Sequence, residues 1–133
     1  MLGGGNPVGG QNPAGIGSSL NYIGKHAYLY TGAVNINNVE TNLAEFDTAG
    51  NSYLVGSWQP QLVSNTGEDT QFRLYFNNQL VSSIVLTSTK DYSPFEEIEI
   101  IIPTDTKVRM TAQNLDSSSD MDVAIIITGE VYA

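Results

Sequence analysis

One histidine, two groups of carboxylates and one tryptophan are the side chains of this 133-residue chain that bring chemistry to mind. His26 stands alone, which excludes any site built on two imidazoles. As a lone general base it needs a nucleophilic serine or threonine, and no Gly-x-Ser-x-Gly elbow supplies one. It reads as a structural or surface residue. Glu96, Glu97 and Glu99 lie together, and Asp116, Asp120 and Asp122 bracket a serine-rich loop. A glycosidase needs two carboxyls facing across a cleft, one with a raised pKa, and linear spacing does not establish that. The run Asp116-Ser117-Ser118-Ser119-Asp120-Met121-Asp122 crowds hard oxygen ligands into one turn, as calcium prefers, but its order is not that of an EF-hand. A solvated loop is the simpler reading. Trp58 with Tyr53, Tyr75 or Tyr92 offers a flat platform for a sugar ring. The burial habit of tryptophan favours a place in the core or a subunit contact. Gly15-Ile16-Gly17-Ser18-Ser19-Leu20 resembles part of a dinucleotide fingerprint, but no strand precedes it and the third glycine is missing. No catalytic, cofactor-binding or metal-binding residue is expected, and no cofactor.

The elements that must carry these residues are short and β-like. The segment 27–34 is rich in β-formers and is followed by Asn35-Ile36-Asn37-Asn38, which reads as a loop. Residues 41–47 give a short strand with Leu43 and Phe46 inward, although the composition also permits a helical turn. Residues 53–63 form a strand in which Pro60 demands an edge position or a change of pairing near Gln59. Phe72, Leu74 and Phe76 alternate with Arg73 and Tyr75, and Asn77-Asn78 joins them to 80–86 as a two-residue hairpin, since asparagine tolerates positive φ. Ile98, Ile100 and Ile102 oppose Glu97 and Glu99, and Pro103 ends that strand. Val108, Met110 and Ala112 face in while Lys107, Arg109, Thr111 and Gln113 face out. Val123, Ile125, Ile127 and Val131 share one face of a last strand that is buried on both sides or nearly so.

Such spacing without a long amphipathic helix predicts an all-β fold: a single jelly-roll β-sandwich of seven to eight antiparallel strands. An immunoglobulin-like sandwich is the alternative. The first 24 residues have a different texture, with eight of the chain's thirteen glycines and two Asn-Pro steps. They cannot bury enough apolar surface to offset their own ordering entropy. The chain therefore divides into a flexible N-terminal arm, 1–24, and a sandwich, 25–133. Fourteen acidic against five basic residues give a net charge of −9. That balance repels nucleic acid unless the cations gather on one face, and Arg73, Lys107 and Arg109 are few for a stripe. There are no cysteines, hence no disulfides or thiolate metal sites. No apolar run approaches the length of a membrane span, and the N-terminus lacks an export signal, so a protein made and kept soluble is expected.

The Gly/Asn/Pro arm, the entry Leu20-Asn21-Tyr22-Ile23-Gly24-Lys25-His26-Ala27-Tyr28, the stretch Ile100-Ile101-Ile102-Pro103 with Thr106-Lys107-Val108 and Ala112-Gln113-Asn114, and the ending Thr128-Gly129-Glu130-Val131-Tyr132 together resemble small single jelly-roll structural proteins of viruses. These serve as pentons, minor capsid proteins or decoration subunits. The resemblance implies a non-enzymatic virion protein whose partners are copies of itself, as a pentamer or trimer, and neighbouring capsid proteins. An arm that orders on a partner can tie subunits together, and Leu2, Val8, Ile16 and Leu20 would be its apolar anchors. The acidic balance departs from coat proteins whose basic arms bind genome. A carbohydrate-binding or adhesin-type module using Trp58 and nearby loops is the alternative function. Mass in solution and glycan binding separate the two.

Overall fold

The computed structural model describes residues 20–64, 68–87, 97–116, 118 and 120–133. Among them are ten β-strands and no helix: β1 Asn21–Ile23, β2 His26–Tyr30, β3 Val34–Ile36, β4 Thr41–Asp47, β5 Tyr53–Leu62, β6 Thr70–Phe76, β7 Gln79–Leu86, β8 Ile98–Ile102, β9 Lys107–Asn114 and β10 Met121–Tyr132. All pairings are antiparallel. One sheet runs β1-β2-β10-β5-β8, with β3 also paired to β10, and the other runs β4-β9-β6-β7. The count exceeds the expected seven or eight because β1 and β3, three residues each, are too short to show a period in sequence.

The core lies between the inner faces of the two sheets. Leu29, Leu54, Trp58, Ile125 and Ile127 on the six-stranded sheet and Phe72, Leu74, Val108, Met110 and Ala112 on the four-stranded sheet are buried. Alternation specified this set, because a half-buried strand sends every second side chain inward. On β10 the outward residues grade from buried Ala124 through half-buried Ile126 to exposed Thr128, so only the first part of that strand is covered on both sides.

Three local features depart from the sequence pattern, each for a physical reason. The expected strand 27–34 is split. Between the pairs Tyr30↔Ile126 and Val34↔Val123, Thr31, Gly32 and Ala33 face only Ala124 and Ile125. Gly32 absorbs the excess at φ +68°, and the Thr31 hydroxyl accepts from Ile125 N at 3.0 Å, standing in for the ladder. Ile36, read as loop, belongs to β3 and is buried. On β4 the register shifts between Asn42 and Ala44, so Leu43, Ala44 and Phe46 all turn inward. A bulge of that kind, invisible in composition, makes the strand look partly helical. Among the described residues β8 pairs with β5 only as far as Trp58, two positions before Pro60, while β10 pairs with β5 through Pro60 to Leu62.

The turn Asn77-Asn78 is a two-residue hairpin with φ of 51° and 67°. Asn77 Oδ1 also accepts from Lys107 N at 2.9 Å, fixing the hairpin to the start of β9. Near the same end, Thr48 Oγ1 donates to Pro103 O at 2.7 Å and accepts from Thr106 N at 2.9 Å. These bonds tie the end of β4 to the β8–β9 turn and satisfy buried polar groups.

Candidate functional site

The outer faces of the two sheets differ in how their side chains are engaged. On the six-stranded sheet the register sets Tyr28, Thr128, Ser57 and Glu99 in one row, Tyr30, Ile126 and Gln59 in the next, and His26, Glu130, Val55 and Ile101 in a third. Tyr132 pairs with Tyr53 at one end, their rings stacked with centroids 5.5 Å apart. Tyr28 and Tyr30 stand side by side, 5.3 Å apart and tilted by 39°. Four of the chain's seven tyrosines thus share one face. Ile101 is 64% exposed and Tyr30 52%. Exposed aromatic and aliphatic groups gathered on one face are what a protein contact surface requires.

On the four-stranded sheet the outer side chains of β9 and β6 are polar or aromatic and engage one another, while Leu80 and Val85 on β7 are apolar and exposed. Glu40, in the connection before β4, reaches over the sheet, and its Oε2 accepts from Tyr75 OH and from Thr111 Oγ1, each at 2.6 Å. Arg73 lies 3.5 Å from Glu40 Oε1 and donates to Gln113 and Gln71. The Arg109 guanidinium sits 4.1 Å above the Tyr75 ring, and Lys107 lies 3.5 Å from Glu45. The hydroxyls of Thr111 and Tyr75 hold the Glu40 carboxyl below its ordinary pKa, and the bond to Glu40 raises that of Tyr75. Arg73, Lys107 and Arg109 do share a face, yet each is engaged by a neighbour within the sheet.

Of the expected arm anchors, Leu2, Val8 and Ile16 lie outside the described residues. Leu20 does not serve as a free anchor: it is 4% exposed and part of the core. Residues 21–23 form β1 and pair with β2, so the body starts at least as early as Leu20 and not at residue 25. Trp58 is not a sugar platform. Its side chain is fully buried, and among the described residues its Nε1 has no hydrogen-bond partner. Tyr53 and Tyr75, proposed companions of Trp58, lie on opposite outer faces, and Tyr92 lies outside the described residues.

His26 is exposed, with Nδ1 4.0 Å from Glu130. Glu97 and Glu99 are exposed, and Glu96 lies outside the described residues. Asp116 Oδ2 accepts from Asp69 N at 2.7 Å and Asp122 Oδ1 from Asn35 at 3.1 Å, so both are used in joining loops. No group of three His, Cys, Asp or Glu suited to a metal occurs among the described residues. No helix among them is long and apolar enough to cross a membrane. The tyrosine face escaped sequence reading because its rows form only when β2, β10 and β5 are placed in register. Tyr28 and Tyr30 flank buried Leu29 and Tyr53 precedes buried Leu54, and that was the available signal.

No protein-family model matches the chain, and no curated protein matches it in sequence. Similar solved structures include a β-glucosidase from Paenibacillus barengoltzii, at 12% identity and TM-score 0.39 over 77% of this chain and 10% of that one. A dimeric latent PorU from Porphyromonas gingivalis gives 18% identity and TM-score 0.39 over 77% and 11%. A family 35 carbohydrate-binding module from Clostridium thermocellum gives 17% identity and TM-score 0.34 over 83% and 78%. The chain spans about a tenth of the first two.

Proposed function

We propose that this chain is a non-enzymatic virion structural protein, a penton, minor capsid or decoration subunit, that assembles with copies of itself and with neighbouring capsid proteins. The observation that carries the reading is the tyrosine- and isoleucine-bearing outer face of the six-stranded sheet, set against an opposite face whose polar groups are paired among themselves. A subunit that must be covered on one side and wetted on the other has this distribution.

The body is a jelly roll on this reading, and the strand order supports it. Without the short β1 and β3, the sheets are β2-β10-β5-β8 and β4-β9-β6-β7, and apart from the β6–β7 hairpin each successive strand changes sheet. Two interlocked four-stranded Greek keys give that order. The glycine-rich residues upstream of Leu20 supply the arm, with Leu2, Val8 and Ile16 as its apolar contacts.

The test is the native mass of the full chain beside Ile101→Asp and Tyr30→Asp variants, both at exposed positions. A closed pentamer or trimer that falls to single copies in the variants supports the reading. A full-length monomer at high concentration that binds a glycan array favours a carbohydrate-binding module instead, one whose site does not include the enclosed Trp58.

A further inference from the structure

Among the described residues the sheet edges are protected unequally. β1 is three residues long. β8 is five, carries Glu99 and runs into Pro103. β4 is bulged at Leu43 and carries Glu45 and Asp47. Short length, bulges, charge and proline are the usual means of preventing edge-to-edge pairing. β7 has few of them. It is eight residues long, Gln-Leu-Val-Ser-Ser-Ile-Val-Leu, and contains no Asp, Glu, Lys, Arg, Pro or Gly in a chain of net charge −9. A register shift places Val81 as the extra residue, which leaves 82–86 as a regular stretch. Leu80, Val81 and Val85 are 53%, 50% and 43% exposed.

We propose that β7 pairs antiparallel with β7 of a second copy about a twofold axis, with Ile84 facing Ile84 of that copy. Pairing centred on the regular stretch sets Ser82 against Leu86 and Ser83 against Val85, so no charge opposes a like charge. Ile84 and Leu86 pack on the core while remaining half-buried, and in the pair they cover each other's exposed side at the lip of the sandwich. Two four-stranded sheets become one of eight strands, and a self-complementary edge is what a twofold contact requires. Two copies that repel through their net charge approach at least cost along a long edge that bears none. The inference rests on the self-assembly part of the reading above and not on a place in a virion.

The chain has no cysteine, so Ile84→Cys in the full chain introduces one thiol per copy. Directly opposed antiparallel residues have Cα atoms about 4.5–5.5 Å apart, within disulfide range. Mild oxidation is expected to give a covalent dimer, with Gln79→Cys, far from the axis, remaining uncrosslinked. Val85→Lys, at an exposed site, is expected to halve the native mass while leaving the far-UV circular dichroism unchanged. An uncrosslinked, folded Ile84→Cys protein or an unchanged mass for Val85→Lys overturns the pairing. If the wild type is then a ring of three or five copies, the assembly reading stands without it; a wild-type monomer removes both.

Discussion

Glu40 shows how much one exposed-loop carboxylate can organise. It joins β6 to β9 through Tyr75 and Thr111 and attracts Arg73, so the outer face of the four-stranded sheet is held by a residue from outside it. Because its folded pKa is lowered, the stabilisation is present above the ordinary carboxylate range and is lost as pH falls through the lowered value. The side chain is 34% exposed, so the contribution is screened and amounts to no more than about 1 kcal/mol. Glu40→Gln is expected to lower the melting temperature at neutral pH and to show a narrowing gap from wild type as the pH falls below the ordinary carboxylate range, measured by thermal unfolding across pH. An equal gap at every pH overturns this account. At the same scale, the Trp58 N–H has no hydrogen-bond partner among the described residues, and burial of the large indole favours its enclosed position.

At the scale of elements, the close approach of β5 and β10 depends on a glycine pair. Gly56 and Gly129 face each other in register. A Cβ on Gly129 would lie 2.6 Å from Val55 O, and one on Gly56 would meet Thr128 O and the Gly129 Cα. The obstacle is backbone and cannot turn aside, so Gly56→Ala should cost at least the roughly 1–3 kcal/mol typical of overpacking. Its denaturant midpoint checks that, and a wild-type midpoint would mean that the strands can part freely here. Elements of this kind divide by how local their causes are. Val108, Met110 and Ala112 were legible because alternation is a property of one strand, and Asn77-Asn78 because its φ preference is a property of two residues. β1, the Thr31–Ala33 interruption and the tyrosine rows were not, since each exists only through a neighbouring strand's register. The boundary at residue 24 failed for the same reason: composition marks Leu20 as tail, and only β2 and the core make it body.

At the scale of the molecule, that corrected boundary sets where a truncation becomes harmful. A chain beginning at Leu20 is expected to unfold cooperatively at the full-length temperature, whereas one beginning at Lys25 loses β1 and a buried leucine, a loss of about 2–5 kcal/mol by analogy with leucine-to-alanine changes. Calorimetry on both checks this, and equal stability would show that 20–24 contribute nothing. The topology also orders events in time. β10 is the last strand in chain order, yet it lies at the centre of its sheet between β2 and β5, with β3 beside β2's end. Until it emerges from the ribosome, those three strands have no common neighbour, and their unpaired backbones wait in water. Closure is therefore a late, long-range event. Nascent chains stalled before residue 121 should be the species that chaperones and aggregates capture, and synthesis speed through β8, β9 and β10 becomes a determinant of yield.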